Sequence, residues 1–326
     1  MRDVNGGAVP TLPYLAPWYR VATSTHKVLL EYGQRIVCLE GGAAEKLVPV
    51  LLPLLDGTRT VGEIVALLGE PVRSAVEHAL GELVTAGVLR DGPPLTDEVP
   101  RAVAGVAELL ASLRPGRESL GETVRSLAAC AVAVVGGSSG GVEVARLLRR
   151  SGVVVERAQS MASGVDLVVC APAPGELPLL THWNEEALEA RQPWLQILPF
   201  DGRYGAVGPL YLPGDTCCYE CFRLRRAANL GAPDELALLD GTPAAYPAAP
   251  TFDAIVGGLA AELALQWLVL GDHYAPAAFY AFELLPTLAL TVHHVHRVPR
   301  CPACSGLADI ASPLPWYKEI PVGDRG

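Results

Sequence analysis

Residues 131–150 read AVAVVGGSSGGVEVARLLRR. Residues 131–135 are five apolar residues in a row, the length and composition of a strand buried on both faces. The run enters a glycine-rich turn, Gly136 to Gly141, and then a helical pattern over residues 142–150. Gly152 ends that helix, residues 153–155 begin a second strand, and Glu156 follows twenty positions after Gly136. Strand, Gly-rich turn, helix and strand, with an acid at that spacing, form the opening unit of a Rossmann-like α/β fold. Gly136 and Gly141 hold the first and third glycine places of the dinucleotide fingerprint, but Ser138 stands at the second. Two readings of Gly136, Ser138, Gly141 and Glu156 stay open: a cofactor-binding cradle, or a turn kept for structure. A nicotinamide-dependent oxidoreductase is one function these four residues suggest.

Downstream, residues 166–170 (DLVVC) and 194–198 read as further strands, with a helix over 184–191 between them. Residues 251–270 read as a long buried helix carrying Asp253 near its start, and 278–284 and 288–297 as late strands. The stretch GPLYLPGDTCCYECFRLRR (208–226) contains Cys218-x-x-Cys221, and RCPAC (300–304) contains Cys301-x-x-Cys304. Two-residue spacing lets both sulfurs of one turn reach a single tetrahedral ion, so the four cysteines read as a structural zinc site; a disulfide or a redox dithiol is the alternative. Cys38, Cys130 and Cys170 lie in apolar runs and read as small core residues, while Cys217 adjoins the metal site without its spacing. His293, His294 and His296 alternate on a strand and read as a mixture of solvent-facing and core side chains rather than ligands. Trp183, Trp194 and Trp267 are expected in the core. The irregular tail 314–326, with Trp316 and Tyr317, is expected to pack on the knuckle or on a partner. No Ser/His/Asp order, paired-carboxylate signature or P-loop stands out, so no catalytic residue is assigned.

The chain has 326 residues, half of them hydrophobic, which suits two domains with ample cores. Its net charge of −10 disfavours bulk nucleic-acid or anionic-membrane binding. MRDVNGGAVP lacks a signal peptide's apolar core, so a cytoplasmic chain is expected. The longest apolar run, residues 254–270, is interrupted by Gly257, Gly258, Glu262 and Gln266, which favours a buried helix over a membrane span.

Residues 1–95 read as a separate, small winged-helix-like module. After a loose arm (1–17), residues 19–21, 27–32 (KVLLEY) and 35–39 (RIVCL) read as strands, the last two joined by Gly33-Gln34 as a tight hairpin. Residues 43–55 are helical but split by Pro49 and Pro53. Thr60-x-x-Glu63 is a capping box for the next helix. Pro71 opens a third over 72–86, with Val72, Val76, Ala79, Leu80 and Leu83 on one stripe, and residues 88–89 read as a wing strand. Between residues 19 and 91 the charges sum to −2, which disfavours a DNA-binding winged helix; a passive packing domain remains the other alternative. GPPLTDEVP (92–100), a short helix over 102–113 and the break Arg114-Pro115-Gly116 make a linker, residues 96–126.

Two resemblances follow. LLPLLDGTRTVGEIVALL (51–68) and VEHALGELVTAGVL (76–89), placed behind three strands, resemble the PqqD-like recognition element of ribosomal natural-product (RiPP) biosynthesis. That likeness implies a leader peptide added as a strand beside residues 35–39 and packed on the third helix. The implied peptide-binding residues are Arg35, Ile36, Val37, Cys38, Leu39, Arg73, Val76, Glu77 and Leu80. In residues 127–326 the glycine turn, the buried DLVV strand, GP-x-x-x-P-G-x-x-x-C-x-x-C and the terminal C-P-x-C resemble the ThiF/MoeB-like family related to ubiquitin-activating enzymes. The branch most resembled is the ocin-ThiF-like one of azoline and thiopeptide clusters. This implies a Rossmann-like ThiF-type domain with structural zinc at Cys218, Cys221, Cys301 and Cys304, and dimerisation through the large domain.

Active members of that family adenylate a peptide C-terminus. Here VVVERAQSMAS (153–163) offers one acid, Glu156, and one base, Arg157, and no N-x-x-R-Q follows. The clamp that phosphoryl chemistry requires is missing, so ATP is not expected as a cofactor. The expectation is therefore a non-catalytic leader-peptide-binding adaptor, presenting a precursor to a YcaO-type cyclodehydratase supplied in trans. The alternative is an ATP-dependent adenylating ThiF-like enzyme acting on a peptide.

Overall fold

The computed structural model describes residues 9–113, 119–161, 164–230, 235, 238–239, 242, 249–271, 278–283 and 286–305. The break at 114–116 and the tail at 314–326 lie outside these residues. The chain divides into two compact units. One comprises Met1–Cys130 with Leu148–Val154 and Leu265–Gly271; the other comprises Ala131–Leu147, Val155–Ala264 and Asp272–Gly326.

In the first unit, β2 (Arg20–Thr23), β3 (Lys27–Tyr32) and β4 (Arg35–Glu40) form an antiparallel sheet in that order, preceded by β1 (Pro13–Leu15). Tyr32 pairs with Arg35 across the two-residue turn, and Gly33 takes φ 60° at its first position, as a tight hairpin of this twist demands. The sheet's inner face presents Val28 and Leu30, both fully buried, with Val37 and Leu39 paired opposite them. The helical segment splits at its prolines into α1 (Gly42–Lys46), α2 (Val48–Leu51) and a 3₁₀ turn, Leu52–Leu54. Then come α3 (Val61–Leu68) and α4 (Arg73–Thr85). Both halves of the Thr60–Glu63 capping box are present, satisfying amides the helix start cannot pair itself. Leu30, Leu51, Ile64, Leu80 and Leu83 meet in one core, each contributing about 1.5–3 kcal/mol by burial.

Residues 13–15, expected in a loose arm, instead pair with β5 (Leu89–Asp91). The Leu12 amide donates to the Asp91 carboxylate at 2.8 Å, fixing the arm. Much of the expected linker is helical, as α5 (Arg101–Leu113) and α6 (Leu120–Ala129), and belongs to this unit. Tyr32 Oη and Ser112 Oγ are hydrogen-bonded at 2.8 Å. The buried Arg90 lies over the Trp18 ring and donates to the Ala111 carbonyl.

The second unit holds most of the residues of the remaining elements: β6 (Ala131–Val135), α7 (Ser139–Arg150), β7 (Val154–Ala158), β8 (Leu167–Cys170), α8 (Leu179–Ala190) and β9 (Trp194–Leu198). They continue as β10 (Tyr204–Tyr211), α9 (Tyr219–Leu230), α10 (Pro250–Leu270), β11 (Ala278–Glu283) and β12 (Ala289–His294). The seven-stranded sheet runs β12-β11-β10-β9-β8-β6-β7. Its β6-β8-β9 portion is parallel and buried on both faces, hence the continuous apolar runs, while β9 to β12 are antiparallel. Because β7 lies on one side of β6 and β8 on the other, the chain reverses direction there. The carboxyl ends of β6 and β8 form the crevice where open α/β sheets take ligands.

Three expectations are corrected. Cys38 is exposed, because it faces outward on β4. His293 and His294, at the end of β12, and His296 beyond it are all exposed among the described residues, with buried Val295 between them taking the inward place. Trp183 and Trp194 are buried, whereas Trp267 is only partly so. Helix α10 is long and apolar enough to cross a membrane by length and composition, and 33% of its apolar window is buried, less than the buried helix expected. One stripe, Phe252, Val256, Ala260 and Ala264, is buried, and Phe252 meets Phe200 edge-on at 5.0 Å and Phe282 at 5.9 Å.

Candidate functional site

The four sulfurs of Cys218, Cys221, Cys301 and Cys304 converge in the second unit, all within 4.8 Å of one another. Cys218 sits just before α9 and Cys221 in its first turn, and the Cys218 carbonyl accepts from the Phe222 amide at 3.1 Å. The second pair sits in a turn after β12, where Ser305 Oγ donates to the Cys301 carbonyl at 2.6 Å. The S···S distances are 3.8, 3.7 and 3.5 Å for 218–221, 218–301 and 221–304. A disulfide needs ~2.05 Å. A tetrahedron with ~2.3 Å metal–sulfur arms has edges of about 3.8 Å. The donor set therefore fits a metal ion such as zinc and not a disulfide pair.

The surroundings brace this cluster. Val298 donates its amide to Cys221 Sγ at 3.3 Å. Arg297 donates to the carbonyls of Gly214 and Cys304 at 2.8 and 3.0 Å, and Arg225 to those of His296 and Arg297 at 2.6 and 3.0 Å. Buried Asn184, which no sequence pattern marked, accepts from the Tyr219 amide at 2.9 Å. Trp194, Tyr211, Tyr219 and Phe222 form the apolar wall. Burial, with Cys221 and Cys304 next in effect, pushes the Cys217 thiol up to about 12. A shallow pocket of about 160 Å³ lies nearby, lined by Leu177, Thr181, Leu198, Tyr219, Arg223 and Arg226.

The residues expected at a peptide edge divide into two groups. β4 is an edge strand, with β3 on one side and no paired strand on the other among the described residues. The closing pair of a two-residue hairpin is hydrogen-bonded, and such pairs alternate along the ladder. Counting from Tyr32–Arg35, the backbone groups of Ile36, Cys38 and Glu40 point away from β3. Ile36 is 63% exposed. The Arg35 guanidinium donates to the Ala86 carbonyl at the end of α4. Arg73 and Glu77 lie on the exposed face of α4, with Arg73 held to Glu70 at 2.6 Å and to Glu77 at 3.5 Å. Val76 and Leu80, by contrast, are fully buried in the core and do not reach the surface, because the stripe that carries them faces the sheet.

The glycine turn has the expected form and an unexpected occupant. Gly136 takes φ 97°, and a Cβ there would strike the Ala171 carbonyl; a Cβ on Gly141 would sit 2.7 Å from that of Ala171. The Ser138 amide donates to the Ala171 carbonyl at 3.1 Å and the Gly141 amide to Ser138 Oγ at 3.1 Å. Glu176, from the loop after β8, accepts from the Gly137 amide at 2.7 Å and from the Ala173 amide at 2.9 Å through one oxygen, Oε2. Arg157, not Glu156, meets the turn, donating to the Gly136 carbonyl at 2.7 Å. Alternation along β7 turns Glu156 the other way, to an exposed position. Ser139 Oγ donates to Asp253 at 2.5 Å. Glu176 was invisible to motif reading because a single acid in a Pro/Gly loop carries no pattern.

Comparison with solved structures finds the fold in natural-product enzymes. The heterocyclase TruD matches with a TM-score of 0.69 and 25% identity, over 90% of this chain and 43% of that one. A heterocyclase in complex with substrate and cofactor matches with a TM-score of 0.69 and 24% identity, over 90% and 39%. E. coli MccB with ATP matches with a TM-score of 0.64 and 14% identity, over 90% of this chain and 99% of that one. The chain thus spans less than half the length of the heterocyclases it matches. No protein-family model and no curated protein matches it.

Proposed function

We propose that this chain is a non-catalytic adaptor that binds the leader of a ribosomal precursor peptide and presents its core to a YcaO-type cyclodehydratase. The observation that carries this reading is the open edge of β4 beside α4, where outward N–H and C=O groups at 36, 38 and 40 offer an incoming strand its ladder. The likeness to TruD, a heterocyclase of which this chain matches 43%, supports a place in the same kind of biosynthesis. The gain is one of effective concentration, since a captured leader holds the core peptide near the partner's active site. The four cysteines would hold a structural zinc, with no coordination position left for a reacting water.

A fluorescence-polarisation titration of the full chain with labelled leader segments of peptides encoded beside its gene tests this. Saturable, sequence-selective binding is expected; absence of binding to every such leader would sink the adaptor. A second reading, ATP-dependent adenylation of a peptide, draws on the shared fold with MccB, solved with ATP. It requires ATP–pyrophosphate exchange by this chain, whereas the adaptor predicts none.

A further inference from the structure

We infer that Glu176 is an internal latch that closes the Gly-rich crevice, holding the chain's own carboxylate where a nucleotide phosphate would otherwise sit. The inference deepens the non-catalytic half of the proposed function, and leader binding does not depend on it. The crevice lies at the carboxyl ends of β6 and β8, where the sheet's connections diverge, and anionic ligands of such folds are met there by loop amides. Here the Gly137 and Ala173 amides, one from each side of the crevice, converge on a single oxygen of Glu176. The second oxygen, Oε1, lies 3.1 Å from where a Gly137 Cβ would be, so the carboxylate rests directly on the turn.

The neighbouring donors are committed as well. The Ser138 amide goes to Ala171, the Gly141 amide to Ser138 Oγ, and the Ser139 hydroxyl to Asp253. Arg157 is drawn to the Gly136 carbonyl. An incoming phosphate would have to displace one carboxylate from two amides and approach a second, Asp253, against like charge. Both effects act in one direction, against nucleotide binding.

The test uses full-length wild type, Glu176→Ala and Glu176→Gln, each titrated calorimetrically with Mg·ATP and with pyrophosphate. Hydrogen exchange over residues 131–142 is followed in parallel. Wild type is expected to show no saturable ATP binding and a protected Gly137 amide. Glu176→Ala is expected to lose that protection and to bind ATP or pyrophosphate at least tenfold more tightly than wild type. Glu176→Gln, which keeps an acceptor oxygen without the charge, is expected to fall between them, and it decides the matter if the alanine variant does not fold. The latch is refuted if wild type binds ATP as tightly as Glu176→Ala, if neither variant gains binding, or if Gly137 exchange is the same in all three. Leader binding by the same preparations separates this failure from that of the adaptor.

Discussion

Replacing Cys38 by proline should weaken leader capture by orders of magnitude while leaving the fold standing. The Cys38 side chain is exposed and its backbone N–H points away from β3, so the ladder to β3 keeps all its bonds. Edge strands tolerate proline where the lost N–H faces solvent, and the expected change in stability is under about 1 kcal/mol, in the range of surface substitutions. For a docked strand the loss is larger. One N–H···O=C bond disappears, about 1 kcal/mol, and the peptide carbonyl opposite is left against a methylene, about 1–3 kcal/mol more. Together these weaken binding by roughly 1.5 to 3 decades in Kd. The assay is a leader titration by fluorescence polarisation, with Cys38→Thr as the control that removes the thiol but keeps the amide. Val37→Pro serves as the opposite control: it removes a ladder bond to Leu30 and should unfold the module. A folded Cys38→Pro protein that binds leader with unchanged Kd would refute β-strand addition at β4.

Metal analysis should give close to one zinc per chain, and Cys301→Ser should lose the metal and lower the melting temperature; a folded, metal-free wild type would overturn the site. Tyr211→Phe should cost about 1–3 kcal/mol in urea unfolding, because it strips the buried Gln196 carbonyl of the hydroxyl that donates to it at 3.0 Å. An unchanged midpoint would mean that water satisfies Gln196. The Glu63 carboxyl is held below its usual range by the Thr60 amide first and then by the Thr60 hydroxyl. A depressed acid contributes stability above its unfolded value and loses it as pH falls through the folded one. Glu63→Gln should therefore flatten the acid side of the stability–pH curve, and an unchanged acid limb would show that this cap is energetically silent.

Where local chemistry dictated structure, the sequence was legible. The Thr60–Glu63 cap, the Gly33 hairpin, the β6–glycine turn–α7 unit and both cysteine pairs stand as their residue types require. What was hidden depends on distant partners. β1 carries a proline and exists because residues 89–91 pair with it across the unit. β10, for which the sequence offered no strand pattern, contains Gly208 and Pro209, and a register shift between Val207 and Leu210 accommodates them in the sheet. The stripe of α4 identified a buried face without saying what buries it, and Val76 and Leu80 proved to be core. At the glycine turn the backbone was foreseeable from spacing. Its occupant was not, because Glu176 arrives from a loop 39 positions away from Gly137.

The sulfur cluster joins chain positions 83 apart, Cys218 to Cys301 and Cys221 to Cys304. Once both ends of that span are clasped at one centre, its length enters the free energy only logarithmically, and each doubling costs about 0.6 kcal/mol. A chain shortened ahead of Cys301 would lose the clasp altogether.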